Sequence, residues 1–193
     1  RYFARLAQKI ISLMQTITPA GRLYEVDMRL RPDGAKGLLV SSLDSFEEYQ
    51  RERAWTWEHQ ALVRSRSLAG NVEVHDRFEK IRVTALQAHR DLLQINTDIL
   101  AMRQRMRLEL DRSVGVRFDL KQGLGGLVDM EFFLQSRVLA MANSNQNVLS
   151  AQRSPDIIAG LKAIGDINDA DANVLSAHYE NLIAHSMVCS LDQ

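Results

Sequence analysis

From Val74 to Leu110 the chain contains neither Pro nor Gly, and this constrains its architecture more than any other feature. Phe78, Ile81, Leu86, Leu92, Leu93, Ile99 and Met102 give the stretch an apolar stripe at helical spacing. Globular helices seldom run that far, so a hidden break is expected inside it. Only three Pro and ten Gly occur in 193 residues, which extends the expectation of long helices to the whole chain. The length suits one large domain or two small ones. Lys and Arg number 24 and Asp and Glu number 24; this balance removes the basic surplus of a dedicated nucleic-acid binder. No run approaches the ~18 apolar residues of a membrane span, so neither nucleic acid nor membrane is an expected partner. The single Cys excludes an internal disulfide and points to a reducing, cytoplasmic setting. Residue 1 is Arg and already sits in a helical pattern, so the chain reads as an excised piece of a longer protein.

The first helix is predicted from Phe3, Leu6, Ala7, Ile10, Met14 and Ile17, with a stop at Thr18-Pro19-Ala20-Gly21. The pattern then changes. Tyr24, Val26, Met28 and Leu30 alternate with Glu25, Asp27, Arg29 and Arg31, and period two predicts a strand closed by Pro32. Asp33-Gly34 and Gly37 make a turn, and 38–42 reads as a short second strand. Helices are expected from Asp44 or Ser45 to about Ala54, from Trp55 to Ser67, from Leu127 to about Asn143, over 155–164 and over 170–190. The segment from Arg112 to Gly126 is irregular and glycine-rich. The fold class is therefore mainly α, a small β-containing start followed by a large helical remainder.

The charged face of 24–31 is the sharpest candidate site. An edge strand often carries charges on its wet face. The functional alternative is that Asp27, with Glu25 beside it, holds a divalent cation. Hard oxygen ligands suit Mg²⁺, which takes few protein carboxylates and keeps positions for phosphate oxygens. Arg29 and Arg31 would then neutralise a polyphosphate with their forked donors. In the second candidate, Glu58, Leu62 and Arg66 share a helix face with Trp57, Ala61 and Arg64 nearby. Core tryptophans with a solvated ion pair account for it on spacing alone; otherwise Arg64 meets a phosphate or the strand carboxylates. The third is Gly123–Gly126 before a helix, an anion cradle or an ordinary capped loop with Asp129 and Glu131 in the first helical turn; Lys121 is its cation. Asp169 and Asp171 read as helix capping. His178 and His185 lack a third ligand, and Cys189 reads as core.

The run Tyr24-Glu25-Val26-Asp27-Met28-Arg29-Leu30-Arg31-Pro32-Asp33-Gly34, followed by Gly37-Leu38-Leu39-Val40-Ser41-Ser42, resembles a block of the bacterial glutamine synthetase adenylyltransferase family. Ala54 through Arg66, with Trp55-Thr56-Trp57-Glu58-His59-Gln60, continues the resemblance. So does Phe118-Asp119-Leu120-Lys121 with Gly125-Gly126-Leu127-Val128-Asp129-Met130-Glu131-Phe132-Phe133. The resemblance covers essentially the whole chain. It implies residual β-strands of a polymerase-beta-like nucleotidyltransferase palm followed by a helical bundle. Residues 1–43 would be an incomplete palm, 44–112 helices packing on it with a long connecting helix, and 113–193 a truncated bundle.

That family has two homologous halves. One removes AMP from glutamine synthetase by phosphorolysis; the other attaches AMP from ATP to one of its tyrosines. The form of the Trp55–Leu62 run resembles the adenylylating, carboxy-terminal half, with the amino-terminal half as the alternative. The family's Gly-Ser turn and Asp-x-Asp strand have no counterpart here, since the chain holds no Gly-Ser dipeptide. The resemblance thus implies a two-metal Mg²⁺ site in the parent, with Asp27 as its third carboxylate and as a candidate base, and an isolated piece that is inactive. Arg29, Arg31, Arg64 and Lys121 would meet the triphosphate, and Glu25, Glu58 and Glu131 would orient those cations. Glutamine synthetase, PII signal proteins and ATP are the implied partners. A non-catalytic helical module that docks glutamine synthetase or PII is the competing reading.

Overall fold

The computed structural model describes residues 1–22 and 24–191; Asp192 and Gln193, in the terminal stretch after the last predicted helix, lie outside them. Two compact units divide after Ala54.

In the first unit, α1 (Tyr2–Gln15) is strongly amphipathic, yet it buries none of its residues. Tyr2, Phe3, Leu6, Ile10 and Leu13 all lie exposed. The stop signal after it folds into a minimal hairpin of β1 (Ile17–Thr18) and β2 (Gly21–Arg22), paired Ile17 to Arg22 and Thr18 to Gly21. The turn closes with Gly21 at φ +97°, a conformation open to glycine. This is the one sheet among the described residues.

The strand expected over 24–31 does not form, and neither does the one over 38–42. Alternation permits a ladder but does not supply its partner, and local bonds here compete with one. The Asp27 side chain accepts the main-chain N–H of Arg29 at 2.8 Å, and Gly34 N–H reaches back to Arg31 O at 2.8 Å. What holds the segment is the end of α1: Tyr24 N–H donates to Met14 O at 3.3 Å, and the Gln15 amide to Val26 O at 3.1 Å. Ser42 instead caps α2 (Leu43–Glu52), its hydroxyl oxygen accepting from Ser45 N–H.

The second unit contains α3 (Thr56–Leu62), α4 (Val72–Gln87), α5 (Leu92–Leu110), α6 (Leu127–Met141), α7 (Ser154–Ala163) and α8 (Asp169–Leu191). The breaker-free stretch does break, at 88–91. Asp91 caps α5 by accepting Leu93 N–H at 2.9 Å, and Arg90 turns back to the last carbonyls of α4, at 2.9 Å from Leu86 O and Ala88 O. Asn143 from beyond α6 takes Gln87 O at 2.7 Å. The orphan carbonyls of a helix end are thus satisfied by side chains, without Gly or Pro.

The core centres on α6, which packs against α3, α5, α7 and α8. It buries Val128, Met130, Leu134, Val138 and Leu139, each contributing about 2 kcal/mol of apolar transfer. Leu161 and Ile157 of α7 close one side, and Val148 and Leu149 of the 3₁₀ turn Gln146–Ser150 close another. Of the stripe expected on α5, Ile99 is buried and Met102 half-buried, while Leu92 and Leu93 are exposed. Ile95, outside that stripe, is buried, and the next buried position after Ile99 is Arg103.

Arg82 of α4 is the bulkiest fully buried side chain, at 1% exposure. Its guanidinium donates to Glu79 at 2.7 Å and to Leu149 O at 2.7 Å, with longer bonds to Leu62 O and Val63 O. One side chain therefore ties α4 to the end of α3 and to the 3₁₀ turn. Replacing it with Ala leaves buried carbonyls without donors and Glu79 without its counter-ion. The expected cost is about 3 kcal/mol, read as a lower urea midpoint, whereas Arg66→Ala should leave that midpoint nearly unchanged.

Candidate functional site

The sequence-predicted residues fall into both units. Glu25, Asp27, Arg29 and Arg31 belong to the first; Glu58, Arg64, Lys121 and Glu131 belong to the second.

Asp27 is exposed on an irregular segment rather than on a strand. Its carboxylate receives the Arg29 guanidinium, Nη2 at 2.6 Å and Nε at 2.9 Å, in addition to the Arg29 main-chain N–H. The Arg29 side chain foremost, and then its main-chain N–H, hold the Asp27 carboxyl down at about 2. Glu25 is exposed beside it. Arg31 serves the turn that follows: it donates to Met28 O, to Gly37 O at 3.3 Å and to Ala35 O at 3.2 Å. That turn is tight. Asp33 and Gly34 both adopt positive φ, and a Cβ on Gly37 would stand 1.9 Å from Pro32 O.

In the second unit, Trp55 and Trp57 are not core residues; Trp55 is 68% exposed. The buried members of that run are Glu58, Gln60 and Leu62, and the Glu58 carboxylate reaches back to accept Trp55 N–H at 2.9 Å and so fastens the first turn of α3. Arg64, just past α3, is ion-paired with Glu131 of α6.

The glycine run is not a cradle of free amides. Gly123 N–H goes to Asp119 O, Gly126 N–H to Gly123 O, Leu127 N–H to Leu120 O and Val128 N–H to Lys121 O. Gly125 N–H donates to Asp129 Oδ2 at 2.7 Å. Glycine is needed because the loop folds onto its own backbone: a Cβ at Gly126 would meet Leu120 O at 2.8 Å. Lys121 is exposed on this loop. Its N–H and that of Gln122 are both held by Asp119 Oδ1 at 2.9 Å.

The organising side chain is Asp129, treated by the sequence only as a first-turn acid. It receives Arg103 Nε and Arg107 Nη2, the latter at 2.9 Å, as well as Gly125 N–H. Arg103 also donates to Gln122 O at 2.6 Å. Loop, α5 and α6 are thus joined through one carboxylate. His178 of α8 adds a bond with Gly125 O at 2.7 Å. The two Arg at 103 and 107, four apart and opposite an acid at a helix start, were the available signal for this cluster.

The remaining candidates are structural. Asn168 and Asp171 cap α8 reciprocally, each bond 2.8 Å. His185 bonds Asn181 O on its own helix. Cys189 is exposed, not core. No group of three or more His, Cys, Asp or Glu side chains among the described residues could hold a metal ion. Asp27 alone therefore does not make a Mg²⁺ site.

The described chain is thus a mainly helical protein with an acid–arginine pair in its first unit, and no described helix is long and apolar enough to cross a membrane. Residues 1–81 match the family model described as glutamate-ammonia ligase adenylyltransferase. Proteins named bifunctional glutamine synthetase adenylyltransferase/adenylyl-removing enzyme are similar along the chain. The one from Stenotrophomonas maltophilia strain K279a is 50% identical over 193 residues, all of this chain and 21% of its own length. Those from Nitrosococcus oceani and Pseudomonas syringae pv. tomato are 44% and 43% identical, over 92% and 93% of this chain. The chain is similar to these enzymes along its whole length, and it spans about a fifth of the length of the curated relatives it matches.

The Asp129 cluster makes a pH prediction. Burial raises the Asp129 carboxyl, but the Gly125 N–H and the two guanidinium groups outweigh it, and the net shift is downward. A lowered folded-state value gives stability that is present above the unfolded value near 3.8 and lost as pH falls through the folded value. Chemical denaturation should therefore show stability declining below about pH 4. Asp129→Asn should be weaker by about 2 kcal/mol at neutral pH and should show a shallower acid slope.

Proposed function

We propose that this chain is part of an adenylyltransferase that moves AMP between ATP and a tyrosine of glutamine synthetase. Its identity to the bifunctional enzymes, sustained from first residue to last, carries the reading. The form of the Trp55–Leu62 run favours the adenylylating half, with the deadenylylating half as the alternative. On this reading, residues 1–43 are a portion of a nucleotidyltransferase palm, 44–112 pack on it, and 113–193 belong to a helical bundle. The setting is cytoplasmic, and PII signal proteins are partners of the whole enzyme. The chain alone is inactive, because one acid cannot compose the ligand set for a divalent cation.

Asp27 is then the carboxylate this chain brings to a cation site completed elsewhere in the parent polypeptide. A divalent cation there would supply charge stabilisation to the oxygens of the transferring phosphoryl group. The chain's own contribution is to hold Asp27 ionised, through Arg29, and to present cations to phosphate. Arg29 and Lys121 are both exposed and suit that role. Arg64 is oriented by Glu131. Arg31, through its three carbonyl contacts, positions the turn beyond Asp27. Glu58 fixes the start of α3, and Glu25 adds negative charge beside Asp27.

The test uses the full-length parent enzyme. Asp27→Asn should lower AMP incorporation into glutamine synthetase by at least a hundredfold, about 3 kcal/mol of transition-state stabilisation, with unfolding midpoints unchanged. A near-normal rate would remove Asp27 from the reacting centre. If the phosphorolytic activity fell instead while AMP incorporation persisted, the other half would be the correct assignment.

A further inference from the structure

Lys121 is free at its ammonium and fully engaged at its backbone. The side chain is exposed and makes no hydrogen bond or ion pair among the described residues. The four polar groups of the two peptide units on either side of it are all bonded. Leu120 O and Lys121 O accept Leu127 N–H at 2.9 Å and Val128 N–H at 3.1 Å. Lys121 N–H and Gln122 N–H both donate to Asp119 Oδ1 at 2.9 Å. Capping the start of α6 accounts for the two carbonyls. It does not account for the two N–H groups, which water would satisfy on an exposed loop. They are held instead by one carboxylate oxygen.

That carboxylate is itself braced. Asp119 Oδ2 accepts Arg112 N–H at 3.2 Å, and Asp119 N–H donates to Ser113 Oγ at 3.0 Å. Asp119 O accepts Gly123 N–H at 2.8 Å. A Cβ on Gly123 would stand 2.6 Å from that oxygen, so the wrap of the loop around Asp119 depends on glycine there. On the far side, Gln122 O is tied to Arg103 of α5 at 2.6 Å. Both oxygens of the acid thus serve main-chain N–H groups, and the charge of Lys121 is left open to a ligand.

We infer that Asp119 is the positioning residue of Lys121: it fixes the main chain from which the ammonium reaches phosphate oxygens, and it does so as a hydrogen-bond acceptor, not as a charge. Placing a cation before its substrate arrives lowers the ordering cost of binding. This rests on the phosphate role of Lys121 proposed above.

Kinetics of the full-length parent enzyme test it, with KM read apart from kcat for ATP in AMP incorporation and for inorganic phosphate in phosphorolysis. Lys121→Met should raise one of these KM values about tenfold, the loss of one charge-assisted contact. Asp119→Glu keeps the charge but displaces the acceptor by one methylene. It should raise the same KM about tenfold, and by less than about twofold in the Lys121→Met background. Asp119→Asn keeps an oxygen for both N–H groups and should stay within about twofold of the parent. Arg82→Ala, destabilised elsewhere in the unit, should leave KM where it was, which separates positioning from loss of folded enzyme. The inference is overturned if Asp119→Asn is as impaired as Asp119→Glu, or if the losses at 119 and 121 multiply. A near-normal Lys121→Met enzyme removes the phosphate role, and the inference with it. The Asp27→Asn result is read independently, so failure of the transferase reading and failure at Asp119 stay separate. Should Asp119→Glu fail to fold, Asp119→Ala takes its place in the same comparison.

Discussion

The helical unit is organised around a carboxylate at the head of its most buried helix. Asp129 joins α5, through Arg103 and Arg107, to the first turn of α6 and to the glycine loop, through Gly125. Desolvation of such a group costs several kcal/mol, and charge-assisted hydrogen bonds return about 1.5–3 kcal/mol each. Three donors from separate places offset the burial, which is why the carboxyl stays ionised. The arrangement also explains the loop: with Gly125 drawn to Asp129 and Arg103 bonded to Gln122 O, segment 119–126 must cross its own backbone, and only glycine fits at 123 and 126.

Guanidinium groups carry an unusual share of this fold. Arg82 is buried at the meeting of α3, α4 and the 3₁₀ turn. Arg90 finishes α4, and Arg137 pairs with the buried Asp166 at 2.8 Å. Each forked head gathers several carbonyl or carboxylate oxygens that no helix ladder reaches. At the end of α4, where no glycine or proline stands, an arginine thus takes the terminator's place.

What the sequence revealed follows from how local each signal is. Helical periodicity is local, so α1, α2, α6, α7 and α8 were legible to within a few residues. The break at 88–91 was expected but could not be placed, because its terminator is the side chain of Arg90 rather than a breaker residue. Period-two alternation at 24–31 read as a strand, yet strand formation depends on a partner elsewhere, and the Asp27 side chain captures Arg29 N–H instead. Burial of Arg82 and Arg103 was invisible, since apolar patterning assigns charge to solvent. The same bias made Trp55 and Trp57 read as core, though they face outward. Among the candidate site residues, the types were recognisable from sequence while their engagements were not: Arg64 with Glu131, Glu58 with Trp55 N–H and Arg31 with three carbonyls are tertiary or turn-specific facts.

The amphipathic α1 has a material consequence. With Tyr2, Phe3, Leu6, Ile10 and Leu13 all open to solvent, the helix is a detergent-like rod. Purified alone, the chain will adsorb to air bubbles, plastic and micelles through that rod. Ammonium sulfate, which strengthens apolar association, will bring it out of solution early.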